Sequence, residues 1–121
     1  MKKCYKCKIV KPLSEYNTDN TKKDKLQGLC KKCNRDGLKV AQERNRLYVG
    51  NIKLNSACVV CGQNHYATLV FHHRNPASKK FGMSLGKYGT RSIKTIQAEI
   101  DKCDVMCANC HRILHWKERS N

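Results

Sequence analysis

The sequence predicts a small α+β protein held together by cross-links rather than by a large apolar core. Three observations lead there. The chain has 121 residues, and one body of that size, or two smaller ones, buries too little apolar surface to be secure unaided. Eight of its nine cysteines fall in C-x-x-C pairs, Cys4/Cys7, Cys30/Cys33, Cys58/Cys61 and Cys107/Cys110. Short β-prone stretches, at 9–16 and 68–71, are interspersed with segments of helical pattern.

The spacing of the cysteines decides what kind of cross-link to expect. Two intervening residues let both thiolates of a pair reach one tetrahedral ion, about 2.3 Å from each sulfur. Two Cys4 zinc sites follow: Cys4, Cys7, Cys30 and Cys33 in one, Cys58, Cys61, Cys107 and Cys110 in the other. A disulfide framework is the alternative, and it needs an oxidising compartment. The opening Met1-Lys2-Lys3-Cys4 leads into no apolar signal segment, and no stretch is long and apolar enough to cross a bilayer. The expectation is therefore a soluble, zinc-stapled protein of the cytoplasm, the host cell's if the gene is carried by a phage.

With 25 Lys+Arg against 9 Asp+Glu the formal charge is +16 and the isoelectric point about 9.7. So much charge on so small a body favours a polyanion, because each neutralised phosphate releases condensed counterions. Membrane binding wants a basic amphipathic helix with large exposed apolar residues, whereas these bases are spread along the chain. Nucleic acid is the expected partner and membrane is not. Oligomeric state leaves no mark on the sequence.

In chain order, Cys4-Tyr5-Lys6-Cys7 opens a knuckle, 9–16 reads as a short strand and turn, and 17–27 as a polar surface loop before Cys30-Lys31-Lys32-Cys33. This first module, 1–37, has a zinc-ribbon-like pattern. From 34 to about 54 the residues favour helix, with Leu38, Ala41 and Leu47/Tyr48 as its apolar stripe; 38–56 is expected to connect two metal-stapled lobes. Cys58-Val59-Val60-Cys61-Gly62 is a second knuckle, with glycine available for the turn. The β-prone 68–71 segment delivers His72 and His73, and Pro76 ends the strand. Residues 77–91 read as an irregular loop, and Ser92 as the N-cap of a helix through Ile93, Ile96 and Ile100. A last helix starts near Cys107. Trp116 is expected to cap the small core and Tyr88 to be available for stacking on a base.

The histidines add a second kind of chemistry. His111 and His115, four residues apart on a helix, stand one turn above the other, so both imidazoles can bind one ion. A His72-His73 dipeptide at a strand end can be brought against that helix. Cys58-x-x-Cys61, Phe71-His72-His73-Arg74-Asn75-Pro76 and Cys107-x-x-Cys110-His111 with His115 together resemble the HNH, or ββα-metal, endonucleases, in their cysteine-bearing branch. The module at 1–37 resembles the zinc module preceding the nuclease core of many phage-type endonucleases. The resemblance implies an HNH nuclease domain over 57–121, in which a two-stranded hairpin and a helix clasp a catalytic divalent ion. It makes His72, His111 and His115 the ligands of that ion and His73 the general base. Arg74, Lys79, Lys80 and Arg112 are the residues expected to hold DNA.

The chain departs from the family pattern twice. His72 stands where the pattern has aspartate, and an all-nitrogen ligand set favours Zn, Ni, Co or Mn over Mg. The asparagine that orients the base has no counterpart in Lys102-Cys103-Asp104-Val105-Met106; a backbone carbonyl or Asp104 is left to do that work. The expected activity is metal-dependent hydrolysis of DNA phosphodiesters. The alternative is a non-catalytic zinc module that binds nucleic acid.

Overall fold

The computed structural model describes residues 1–120. The chain divides into two compact units, Met1–Ala41 and Gln42–Asn121, and it is α+β with two-stranded sheets only. Among the described residues no helix is long and apolar enough to cross a membrane.

In the first unit β1 (Lys2–Lys3) and β2 (Val10–Lys11) flank the Cys4/Cys7 knuckle, paired Lys2 to Lys11 and Lys3 to Val10. β3 (Tyr16–Thr18) then pairs with β4 (Leu26–Cys30), with Tyr16 opposite Cys30. The expected surface loop over 17–27 is the connection of this hairpin: 19–25 are turn and loop, and only its ends lie in β3 and β4. Helix α1 (Lys31–Leu54) follows β4 without a break, three residues earlier than the sequence pattern places it, so Cys33 lies in its first turn. The unit's core is Cys4, Tyr16, Cys30 and Cys33, with Leu26 and Leu29 packed on it. A core half made of cysteine holds little apolar surface, which is why the metal-binding question is also the stability question here.

The second unit begins within α1. There the buried residues are Asn45 and Val49, with Tyr48 and Ile52 half-buried, while Leu38 and Leu47 are exposed. Of the apolar stripe expected at Leu38, Ala41 and Leu47/Tyr48, Tyr48 packs on the core and Ala41 is half-buried, while Leu38 and Leu47 face outward, so the stripe is rotated. The reason is Asn45, a polar residue that no hydrophobic count places inside: its amide donates to the carbonyls of Gly89 and Arg91, both at 2.8 Å. After the Cys58/Cys61 knuckle, β5 (Leu69–His73) pairs antiparallel with β6 (Cys103–Cys107), in register from Leu69 opposite Cys107 to His73 opposite Cys103. Between them lie the one-turn helix α2 (Leu85–Tyr88) and α3 (Ile93–Ile100).

The Ser92 hydroxyl caps α3 by accepting from the Thr95 N–H at 3.2 Å, and Ile96, Glu99 and Ile100 form its buried stripe at i, i+3, i+4. Tyr88, expected at the surface, is buried in the core with Val49, Ile96 and Ile100, whereas Trp116 is 60% exposed. The core-capping place expected for Trp116 is thus filled by Tyr88. Helix α4 (Ala108–Ser120) grows directly out of β6.

Candidate metal centres

Each unit assembles four sulfurs in the same way. The first cysteine pair of each sits on a tight turn: the N–H of Lys8 donates to the carbonyl of Cys4, and that of Gly62 to the carbonyl of Cys58, both at 2.9 Å. The residue closing each turn is left-handed, Lys8 at φ 64° and Gly62 at φ 80°. The second pair straddles a strand-to-helix junction, Cys30 and Cys107 ending strands, Cys33 and Cys110 in the first helical turn. There the Cys33 and Cys110 N–H groups donate to the preceding cysteine sulfur at 3.5 and 3.4 Å. All four ligand atoms of each quartet lie within 4.8 Å of one another.

Two observations fit these groups to a tetrahedral cation. Cys61 and Cys107 Sγ are 3.6 Å apart, close to the ~3.8 Å edge of a tetrahedron with 2.3 Å metal–sulfur bonds and far from the ~2.05 Å of a disulfide. The second is electrostatic, because four thiols this close cannot all ionise beside one another. Burial raises Cys4, yet N–H groups of Cys30, Cys7 and Lys6 outweigh it and hold that thiol at about 5. Cys33, buried and facing the other sulfurs, is pushed up to about 12. In the second quartet the Cys61 N–H draws Cys58 down to about 6, while the Cys107 and Cys61 sulfurs push Cys110 up to about 12. A divalent cation resolves the conflict by holding all four as thiolates. The Lys11 ammonium, 3.2 Å from Cys30 Sγ, offsets part of the negative charge such a site carries.

A third cluster consists of His72, His111 and His115, whose ligand nitrogens also lie within 4.8 Å of one another. Strand β5 supplies one ring and helix α4 the other two. His111 and His115 present Nε2 atoms 3.0 Å apart, near the ~3.3 Å edge expected for 2.0 Å metal–nitrogen bonds. His115 Nδ1 is 3.3 Å from the Glu118 carboxylate, the outer contact that fixes the tautomer of a metal-bound imidazole. Burial, then the neighbouring His115 and His72, lowers the pKa of His111, which favours the neutral form that ligates. Three nitrogen ligands leave a tetrahedral ion one open position, the arrangement of catalytic rather than structural sites. Beside them is a cavity of about 560 Å³, lined by Val70, Asn109, His111, Arg112, His115 and Arg119.

Not all residues singled out by the sequence converge here. Successive residues on a strand face opposite sides, so His73 points away from His72, and its Nε2 lies 2.9 Å from Glu99 Oε2. Glu99 is 1% exposed and also takes hydrogen bonds from Lys102 Nζ and the Lys80 N–H, each at 2.9 Å. Burial alone would raise its carboxyl; these partners outweigh it and hold the pKa at about 2. Asp104, one candidate to orient His73, instead accepts from Arg74 at 3.1 Å. Arg74 also donates to the carbonyls of Cys103, at 2.8 Å, and Asp101, which fastens the end of the hairpin. Lys79 and Lys80 are exposed on the segment after Pro76. Glu99, Glu118 and Arg119 were not foreseen. Glu99 had a signal, an acidic residue in the apolar stripe of a helix; the other two stand three and seven residues beyond His115 and Arg112 on one helix. Comparison with protein-family models, curated proteins and solved structures returns no match.

Proposed function

We propose that the second unit is a metal-dependent nuclease of HNH type that hydrolyses DNA phosphodiester bonds. One observation carries the reading. Beside a Cys4 group that already has its four ligands, three further histidines converge, and two of them, His111 and His115, line a cavity bearing two arginines. A purely structural zinc module has no use for the second cluster. His72, His111 and His115 would hold a divalent ion, Zn, Mn, Ni, Co or Mg, and that ion would supply Lewis-acid stabilisation of charge on the phosphoryl group.

The chain's own groups do the rest. Arg112 neutralises the phosphodiester, Glu118 keeps His115 in its ligating tautomer, and His73 acts as base. Glu99 takes the hydrogen on His73 Nε2 and so leaves Nδ1 as the acceptor. In the balanced reaction the water oxygen bonds to phosphorus as the P–O3′ bond breaks. One water proton passes through solvent water to His73, whose ring faces the other side of β5 from His72, and the departing 3′ oxygen takes a proton from solvent.

A second reading, a zinc-stapled DNA-binding module without cleavage, draws support from the placement of His73 against Glu99 on the face opposite the three histidines. Supercoiled plasmid incubated with the protein across a divalent-metal series separates the two. Under the nuclease reading, His73→Ala lowers the cleavage rate about 10²–10⁴-fold and keeps both zincs. His115→Ala also loses cleavage, and excess metal restores part of it. Plasmid that is bound but intact with every metal would establish the second reading, and cleavage by His73→Ala at the parent rate would remove His73 as the base.

A further inference from the structure

We infer that Arg119 forms a subsite for a second phosphate of the cleaved strand, so that the preferred substrate is a polynucleotide extending away from the scissile bond rather than an isolated phosphodiester. The inference rests on the nuclease reading above and adds the substrate feature that this site recognises.

The geometry comes from helix α4. Seven residues separate Arg112 from Arg119, which is two turns and ~10.5 Å of rise on one face. His111 and His115 bracket Arg112 in height, so Arg112 stands level with the histidine cluster and Arg119 stands about 9 Å further along the axis. Both arginines line the same cavity as His111 and His115. Neither makes an ion pair with a carboxylate among the described residues, although Glu118 is adjacent to Arg119 in sequence; Glu118 faces His115 instead. Arg74, by contrast, is committed to Asp104 and two backbone carbonyls. Two guanidiniums over one cavity, neither ion-paired among the described residues, favour a ligand with at least two anionic groups. Phosphates of one DNA strand advance ~3.4 Å each along the duplex, and long helical side chains lean toward the helix N-terminus. Arg119 therefore meets a phosphate within about three nucleotides of the one at Arg112. A planar fork of donors on each suits bidentate capture of phosphate oxygens.

The test uses the full chain with Mn²⁺ and two probes, a 16-base-pair labelled duplex and bis(p-nitrophenyl) phosphate, which has a single phosphodiester and no flanking phosphate. Arg119→Ala should lower kcat/KM on the duplex about tenfold more than on the small ester, with Arg119→Lys recovering part of the loss. Independently of cleavage, the slope of log binding constant against log salt for the duplex should become shallower by about 0.9, the loss of one phosphate contact. Equal effects on the two probes together with an unaltered salt slope would overturn the subsite. If the parent protein cleaves neither probe, the nuclease reading fails, and the salt slope still decides whether Arg119 holds a phosphate.

Discussion

At the scale of single residues, Glu99 is the side chain with most depending on it. It is 1% exposed and joins His73, Lys102 and the Lys80 N–H, so removing its charge leaves buried donors without an acceptor. Glu99→Ala should destabilise the protein by about 3–5 kcal/mol, the range for breaking a buried ion pair, measured by thermal or urea unfolding. The pH dependence follows from its depressed pKa of about 2. A carboxyl held below its unfolded value contributes stability in full above that unfolded value, and the contribution fades as pH falls toward 2. The stability gap between parent and Glu99→Gln should thus be widest at neutral pH and narrow steadily below about pH 4.5. A gap independent of pH would mean that the carboxylate is not held ionised by these partners. Glu99 was legible in the sequence only as an oddity: Ile96 and Ile100 mark the buried face of α3, and the acidic residue between them is on that face.

At the scale of elements, the knuckles show how local backbone chemistry shapes a metal site. Gly62, at φ 80°, occupies a conformation that costs an L-residue about 1–2 kcal/mol, and the equivalent Lys8, at φ 64°, bears that cost. Gly62→Ala should therefore destabilise the second unit by about 1 kcal/mol, whereas Lys8→Gly should be neutral or mildly stabilising; chemical denaturation of the zinc-loaded protein reads both. Equal destabilisation by the two substitutions would contradict the equivalence of the turns. The C-x-x-C spacings, the Ser92 cap, α3 and the histidine pair on α4 were all readable, because each is a short-range pattern. Strand β6 and the Leu26–Cys30 strand were not. A strand such as Cys103-Asp104-Val105-Met106-Cys107 is defined by its partner, and pairing with β5 across some thirty intervening residues leaves no local periodicity. The stripe of α1 was misplaced for a related reason, since Asn45 is buried by hydrogen bonds to a distant loop.

At the scale of the whole molecule, both units follow one plan: knuckle, strand pair, then a helix whose first turn completes the Cys4 group. Where the second unit has His111 and His115, one and five residues after its last cysteine, the first has Asn34 and Leu38. The sequence displayed the shared cysteines and concealed the shared strands, since Tyr16, opposite Cys30, and Leu69, opposite Cys107, differ in residue type and in their distance along the chain from that cysteine. The first unit is thereby a staple without an open site. Basic residues are spread over both units.

Helix α4 has a consequence for the order in which metals load. Cys110 lies in the first turn of α4, directly before His111 and five residues before His115, so on the proposed reading the histidines are in place only when that turn is pinned by its thiolate. The two occupancies form a hierarchy: the Cys4 ion can be present without the histidine-bound ion, and the reverse state should not accumulate. Graded chelation followed by elemental analysis and circular dichroism should show one labile metal leaving first with the fold intact. Two tightly held zincs should leave later, with unfolding. Loss of a thiolate-bound zinc while the labile metal stays bound would break the hierarchy, and with it the idea that the histidine cluster borrows its rigidity from the neighbouring sulfur site.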